Sequence, residues 1–413
     1  MALLIFTMAC DDDDDSTGAE PLNFAETESD YVSIALFHDN GIDVLRANNG
    51  QIRSSVNEAL PEGARFYTSS TGRHLVVVNR NGNQVRFFDS GVYFHIDHTH
   101  DDPSKWLETT VETPLPTHFK SSGDHMVIFN DGDGSITYVD EERLENSNYT
   151  PDVIQIENTV AHHGVGFRFT NGQFVTTFKD ETEPEGLPGS VRFVDINGSV
   201  MGDNGGVETA GIHGSAVNGT HGAFGSRDGV IIVDGERNID LVENTGKLDT
   251  ARGFWIATMK GHDDANLFFG RAGELGAFVV DPVAKTIDVL YEGDDIEGDM
   301  FSFNGEYYLL HTSDNRIRVY DATNANMITE RVVEMVDIPE VGSANGRSSR
   351  SEIEVLRKMN QPSPVLICSE QFLYVLAPDR QHIKVLHIRD LAHVHTIELS
   401  STVNSMAKIG FTD

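Results

Sequence analysis

The sequence predicts an all-β protein whose main part is a single β-propeller. Three observations predict it: a strand–turn–strand unit recurs along most of the chain, its turns are rich in Asn, Asp and Gly, and the chain ends in a lone strand. Hairpins repeated at such intervals are typical of propeller blades, which pack only against their neighbours. This architecture lets a chain of 413 residues form one domain, where length alone would suggest two or three.

Each unit ends in an alternating apolar segment that an aspartate usually closes. Alternation places successive side chains on opposite faces of a strand, which is the pattern of a sheet between two packed layers. The eight segments lie at residues 42–45, 85–89, 136–140, 191–195, 230–234, 277–281, 317–321 and 383–387. We therefore expect eight blades, with seven as the alternative because the last interval is long.

Tight polar turns join each of these segments to a preceding strand. Residues 74–79 are followed by Asn81 and Gly82, and residues 126–129 by Asp131 and Gly132. Asn-Gly and Asp-Gly pairs between alternating strands favour hairpins. The run at 130–134 also resembles a calcium loop, but it lacks the glycine and glutamate spacing of that motif, so we interpret it as a hairpin turn.

The two ends of the chain predict how the ring closes. The first hairpin begins near Tyr31 with no strand ahead of it, and residues 403–411 look like one strand with no hairpin after it. The C-terminal strand would then be the inner strand of the first blade, which removes an exposed sheet edge. The propeller domain is therefore predicted over residues 31–413.

The first thirty residues are interpreted as processing and tether segments. Residues 1–10 resemble the end of a bacterial lipoprotein signal peptide, with Cys10 as the lipidated residue. Residues 11–30 carry nine acidic residues and no basic one, which predicts a flexible tether. These features predict a location in the bacterial periplasm or cell envelope, with membrane contact only through the lipid. The alternative is an unmodified cysteine in a frayed terminus.

The charge balance limits the partners. The chain has 30 Lys and Arg against 65 Asp and Glu, a net charge of −35, which excludes general nucleic-acid binding and favours cations. Its two cysteines, Cys10 and Cys368, form neither a disulfide framework nor a thiolate zinc cluster. A metal would therefore be bound by histidines and carboxylates, and we expect a monomer.

Histidines recur at one position of the predicted blades. Counting back from the aspartate that closes each hairpin, His118 lies 22 residues earlier, His213 lies 21 and Asp299 lies 22. His163 lies 32 residues earlier, and a long turn at 181–189 accounts for the surplus. Equivalent inner-strand positions meet at one end of the channel, so these residues predict a zinc site. The alternative is that each histidine only satisfies a backbone carbonyl.

A second candidate site is the tract of histidines and aspartates at residues 95–102. On an extended segment His98, His100 and Asp102 would share one face, with His95 on the other. Such tracts bind zinc or copper. We expect the tract to fold over the mouth of the channel and pass a cation to His118. The alternative is a solvated loop.

Several motifs occur in the same order as in a known family. They are residues 91–140, which join the histidine tract to 116–119 and 129–134, followed by 162–165, 212–215, 224–229 and 409–410. These motifs are similar to those of AztD, a family of periplasmic zinc metallochaperones. The resemblance implies a β-propeller that delivers Zn²⁺ to the solute-binding protein of a zinc ABC transporter. It also implies that the histidines of the matching motifs are zinc ligands.

The leading hypothesis is a protein that buffers or delivers Zn²⁺ and is not an enzyme. His118, His163 and His213 would be ligands, together with Asp299, while His95, His98, His100 and Asp102 would capture the ion. One alternative is a metal-dependent hydrolase or lyase that uses an open metal position at the same channel mouth. The other is a propeller that serves only as a protein-interaction scaffold, because a fold does not define an activity.

Overall fold

Antiparallel strands make up most of the chain in the computed structural model, which describes residues 27–95, 97–183, 185–203, 205–334 and 362–411. Within these residues there are 33 strands and three short 3-10 turns, at Glu141–Arg143, Thr250–Arg252 and Gly273–Leu275. Cys10 and most of the acidic tether lie outside the described residues. No helix that the structure describes has the length and apolarity needed to cross a membrane.

The strands form eight blades, which confirms the predicted architecture. From the channel outward, blade 1 contains β33 (Ser405–Gly410), β1 (Val32–His38), β2 (Gly41–Arg46) and β3 (Ile52–Val56), and blade 2 contains β4 (Arg65–Thr68), β5 (His74–Asn79), β6 (Gln84–Asp89) and β9 (Lys105–Glu112). Blade 3 contains β10 (Pro116–Ser122), β11 (His125–Asn130), β12 (Ser135–Asp140) and β13 (Asp152–Ile154). Blade 4 contains β14 (Gly166–Arg168), β15 (Phe174–Phe178) and β16 (Ser190–Val194). Blade 4 has three strands, and a single bridge between Val194 and Val200 stands in its outer position.

The other four blades each have four strands. Blade 5 contains β17 (Ile212–Val217), β18 (His221–Ser226), β19 (Gly229–Asp234) and β20 (Ile239–Glu243), and blade 6 contains β21 (Thr258–Lys260), β22 (Phe268–Arg271), β23 (Gly276–Asp281) and β24 (Thr286–Glu292). Blade 7 contains β25 (Ile296–Phe301), β26 (Tyr307–Thr312), β27 (Arg316–Asp321) and β28 (Met327–Val332). Blade 8 contains β29 (Val365–Cys368), β30 (Phe372–Leu376), β31 (His382–His387) and β32 (His393–Glu398). A separate hairpin, β7 (Val92–His95) and β8 (His98–Asp101), is inserted in blade 2.

The C-terminal strand closes the ring as predicted. β33 pairs antiparallel with β1 along its length, with Lys408 opposite Ile34. The Thr68 hydroxyl of blade 2 donates to the Lys408 carbonyl at 2.8 Å, which joins the closing strand to the next blade. The first blade is therefore built from both ends of the chain.

The apolar core is divided among the contacts between blades. The described residues form eight buried clusters, one between each pair of neighbouring blades. Successive residues of one strand enter different clusters: Leu75 packs with blade 1 and Val76 packs with blade 3. Both faces of each blade are buried, which is why apolar residues occupy long stretches of the middle strands.

Strand direction defines two ends of the propeller. Inner strands begin at one end, which we call the upper end, and the turns between second and third strands lie there too because the strands alternate in direction. The β7–β8 hairpin leaves the third strand of blade 2, so it lies at the opposite, lower end. With about 3.3 Å per residue, the six-residue strands separate the ends by about 17 Å. The expectation that the histidine tract covers the channel mouth near His118 is therefore wrong.

Candidate metal centre

Three histidines from neighbouring blades meet at the upper end of the channel. His118 lies at the start of β10, His213 at the start of β17, and His163 in the loop just ahead of β14. Their Nε2 atoms converge: His118 to His163 is 3.1 Å and His163 to His213 is 3.3 Å. The predicted grouping of these three side chains is thus present in the structure.

Local irregularities in the inner strands aim these side chains. The pairing register shifts beside His118, between residues 116 and 118, and across His213, between residues 212 and 215. Such bulges re-aim a side chain at the rim of a sheet. The sequence predicts that His163 lies at the start of the inner strand of blade 4, but the pairing of that strand begins at Val165, whose carbonyl accepts from the Thr177 amide. His163 therefore reaches the site from the preceding loop.

A glycine after His213 allows the next blade to approach. A Cβ atom at Gly214 would lie 2.6 Å from the carbonyl oxygen of Ala257, closer than any side chain tolerates. The same carbonyl lies 2.9 Å from His213 Nδ1. The His-Gly pair therefore has a physical purpose, since the missing side chain lets a blade 6 carbonyl hold the imidazole.

The acceptors behind the rings fix two of the tautomers. His163 Nδ1 lies 2.8 Å from Asp131 Oδ2, and His213 Nδ1 lies 2.9 Å from the Ala257 carbonyl oxygen. A carboxylate and a carbonyl only accept hydrogen bonds, so both Nδ1 atoms carry the proton. In the neutral rings the Nε2 lone pairs of His163 and His213 then face each other at 3.3 Å. That arrangement is repulsive unless a cation lies between them.

Asp131 is a residue of the candidate site that the sequence did not indicate. It lies in the turn between β11 and β12 and is buried, with Arg80 Nη2 donating to its Oδ2 at 2.9 Å. Burial alone would raise the pKa of this carboxyl, but hydrogen bonds from His163 and Arg80 hold the pKa below its usual value. The available signal was the position of the turn, since such turns lie at the end where inner strands begin.

His118 is held in its neutral form. Burial, followed by the proximity of His163 and Lys120, lowers the pKa of His118 to about 3. A neutral imidazole is the form that ligates a metal. His163 nevertheless keeps 36% of its side chain exposed, so the group is accessible from the channel.

The donor set fits zinc. Tetrahedral zinc with Zn–N bonds of 2.0–2.1 Å requires ligand nitrogens that are about 3.3 Å apart. The Nε2 atom of His163 lies 3.1 Å from that of His118 and 3.3 Å from that of His213. Asp131 behind His163 forms the carboxylate–histidine pair that orients metal ligands. Three imidazoles also leave a fourth position for another ligand.

Asp299 does not join the three histidines. Arg271 Nε lies 3.1 Å from its Oδ1, and the Tyr308 hydroxyl donates to its Oδ2 at 2.9 Å. The strand pairing explains the difference. Gly298, which pairs with His311, occupies the position in blade 7 that His118 occupies in blade 3. Asp299 therefore lies one residue further along the strand. A slip of one residue turns a side chain to the other face of the strand.

The histidine tract forms a hairpin instead of one extended segment. His95 is paired with His98, and Tyr93 with His100, across β7 and β8. Directly paired residues share a face, so His95 joins His98 and His100, and their ring centroids lie 4.6 to 5.9 Å apart. We call these three residues the hairpin histidines. The predicted opposition of His95 and His98 is therefore wrong, and the three form a compact candidate site.

Asp102 lies beside the hairpin histidines and outside their group. The Tyr93 hydroxyl donates to its Oδ2 at 3.3 Å, and its carbonyl accepts from Arg53. Asp101 is ion-paired with Arg46 and Arg53, which fixes the hairpin to blade 1. The carboxylates of this segment thus anchor the hairpin.

Comparison with known proteins supports the fold. No family model matches the sequence. Two solved structures of AztD from Citrobacter koseri are similar, with a TM-score of 0.72, 17% and 18% identity, and coverage of 92% of this chain and 98% of theirs. The computationally designed Ika8 protein has a TM-score of 0.52 at 14% identity, over 89% of this chain and 98% of that one. At such identities the likeness concerns the fold, and it agrees with the resemblance of the motifs to AztD.

Proposed function

We propose that this protein binds Zn²⁺ as a cargo at His118, His163 and His213 and buffers or delivers it in the bacterial envelope. The observation that carries the proposal is the pair of Nε2 lone pairs of His163 and His213, which face each other at 3.3 Å with both Nδ1 atoms committed to acceptors. A divalent cation removes this repulsion and gains three ligands.

Incomplete coordination favours delivery over permanent storage. Three protein ligands leave one position for a ligand from a receiving protein, and structural zinc sites in contrast have four protein ligands. The exposed part of His163 gives a receiver access from the channel mouth. By resemblance to AztD, the proposed receiver is the solute-binding protein of a zinc ABC transporter.

The hairpin histidines are proposed as a separate capture site. Their rings are close enough for one ion, but they lie at the lower end of the propeller. Direct transfer from this hairpin to His118 would have to cross about one strand length of roughly 17 Å. We therefore propose that the hairpin histidines capture zinc independently of the channel site.

A lipid anchor at Cys10 would hold both candidate sites close to a membrane of the cell envelope. The proposal rests on the lipoprotein-like run at residues 1–10. Labelled palmitate fed to expressing cells should enter the wild-type protein and not Cys10→Ala. Equal labelling of the wild-type protein and Cys10→Ala would contradict lipidation at Cys10.

Zinc competition tests the channel site. Alanine at His118, His163 and His213 together should lower zinc affinity by more than about a hundredfold, because removal of one orienting partner alone costs about 10–100-fold. The measurement is competition with a chromophoric chelator, and the matched control is alanine at the exposed His393. Unchanged affinity in the triple variant would refute the site.

The same variants separate the alternative functions. A hydrolase or lyase would use the open fourth position for a metal-bound water, so a substrate screen should show zinc-dependent turnover that is lost in the triple variant. A pure interaction scaffold would melt at the same temperature with and without zinc. Our proposal expects zinc-dependent stabilisation, no turnover, and zinc transfer to the solute-binding protein.

A further inference from the structure

A third polar cluster lies at the lower end, between blades 2 and 3. His74 begins β5 directly opposite Asp89 at the end of β6, and Glu141 and Glu145 follow β12. His74, Asp89 and Glu141 are 0%, 3% and 4% exposed. Burying a histidine and two carboxylates together is costly unless they are mutually compensated.

The ring of His74 is oriented as a ligand would be. Its Nδ1 lies 2.7 Å from Glu141 Oε1, and a carboxylate only accepts, so Nδ1 carries the proton. Nε2 is buried without a hydrogen-bond partner. It faces Asp89 Oδ1 and Glu145 Oε1, each at 3.9 Å. One imidazole nitrogen and two carboxylate oxygens therefore converge on one small space.

Arg73 now compensates the two carboxylates from the outer side. Its Nε lies 3.1 Å from Asp89 Oδ1, and its Nη2 lies 3.4 Å from Glu145 Oε1. The guanidinium also lies over the ring of Tyr93 at 4.1 Å, and this ring stacks on His100 at 4.6 Å. The Tyr93 ring thus gives the Arg73 guanidinium a contact that does not depend on the two carboxylates.

We propose that His74 Nε2, Asp89 Oδ1 and Glu145 Oε1 form a further divalent-cation site, with Glu141 orienting His74 and Arg73 as the cation that the metal displaces. One imidazole with carboxylates suits Zn²⁺, which binds imidazole and carboxylate, and Mn²⁺, which favours carboxylate oxygens. The carboxylate behind the imidazole repeats the arrangement of metal-ligating histidines. Closing the separations of 3.9 Å to about 3.3 Å needs small side-chain shifts.

Anomalous scattering from crystals of the full chain soaked in ZnCl₂, and separately in MnCl₂, tests this site. We expect a peak among the three ligand atoms, and no such peak in Glu145→Gln, whose side chain is 33% exposed and tolerates the change. Absence of the peak from wild-type crystals whose channel site is filled would overturn the proposal. A peak here with an empty channel site would instead refute the proposed function alone.

Competition by Arg73 gives a second test. Arg73→Gln should raise the zinc affinity of this site on the order of tenfold, because it removes a positive charge in contact with two ligand oxygens. Lys105→Gln is the matched control, since Lys105 contacts Glu145 through the other oxygen, Oε2, at 3.1 Å. If Arg73→Gln only lowers the melting temperature and leaves zinc affinity unchanged, Arg73 forms structural ion pairs with Asp89 and Glu145 and the site is refuted.

Discussion

At the scale of single residues, Asp131 determines how His163 presents its lone pair. Its Oδ2 accepts from His163 and Arg80 within 2.9 Å, and its other oxygen is buried without a hydrogen-bond partner. The carboxylate therefore fixes the ring while adding negative charge behind the candidate zinc ligands. A change at Asp131 is therefore expected to alter the candidate metal site without removing any of its three histidines.

Asp131→Asn should lower zinc affinity by about 10–100-fold, the usual cost of losing a partner behind a metal ligand. The measurement is chelator competition at fixed pH. Asp133→Asn in the same turn is the control, because Asp133 caps the Ser135 amide at 3.0 Å and touches no histidine of the site. Equal affinities for Asp131→Asn and the wild type would show that the carboxylate is irrelevant to binding.

His311 on β26 predicts a pH dependence of stability away from the metal sites. It is 4% exposed, and burial lowers its pKa below 6.5, against the opposing effects of Glu297, Asn315 and Asp314. The unfolded chain therefore binds more protons. The stability from the neutral ring is complete above pH 6.5 and is lost as the pH falls through the lower, folded-state pKa.

Replacing His311 should remove this contribution. The free energy of unfolding of His311→Phe should fall less between about pH 7 and pH 5 than that of the wild type, because phenylalanine has no proton to bind. Urea denaturation at several pH values measures it, with His393→Phe on the exposed face of β32 as the control. Parallel pH profiles for the wild type and His311→Phe would contradict the assignment.

At the scale of elements, the β7–β8 hairpin is a small unit fixed to blade 1 by the ion pairs of Asp101. Alanine at His95, His98 and His100 should lower the zinc stoichiometry while the affinity and loading rate of the channel site stay unchanged, because the two groups are at opposite ends. Zinc titration measures the stoichiometry and the affinity, and stopped-flow detection measures the loading rate. Slower loading of the channel site would instead support direct transfer from the hairpin.

Elements also show what the sequence could predict. The hairpins follow from alternation and turn residues, and His118 and His213 follow from counting back through them. The prediction for Asp299 was wrong because the turns of blade 7 differ in length from those of blade 3. The turn before β27 is one residue shorter. The turn before β26 has four residues between the facing Ser302 and Tyr307, against two between Ser122 and His125. Turn lengths shift register, and a single-residue shift reverses the face. The shared face of His95 and His98 could likewise not be predicted, because it depends on a turn between them that the sequence pattern did not indicate.

At the scale of the whole molecule, closure of the ring and the grouping of His118, His163 and His213 were predictable, and the other contacts between blades were not. The unpaired strand at the C-terminus indicated closure directly. Asp131 with His163, and His74 with Glu141, join residues of different blades, and a single sequence does not show which residues of neighbouring blades meet. The net charge of −35 indicated cations as partners, and the positions of the histidines and carboxylates in the structure indicate where a cation would bind.

Removing residues 405–413 should destabilise the protein strongly. Met406 and Ile409 are 4% and 0% exposed, and burial of such side chains contributes about 1.5–3 kcal/mol each. We therefore expect a loss of about 4 kcal/mol or more, together with aggregation through the uncovered edge of β1. Thermal melting with light scattering measures both effects, and removal of residues 412–413 alone is the control. A truncated protein that melts like the wild type would contradict the importance of closure.

The pairing of β33 with β1 also determines when folding can finish. Ile34 and Lys408 are partners although they are 374 positions apart, so the first blade made by the ribosome lacks its inner strand until the last one emerges. Non-local pairing of this kind delays folding. The ring is thus completed only after β33 has been made, and a chain that stops before β33 retains an open edge on β1.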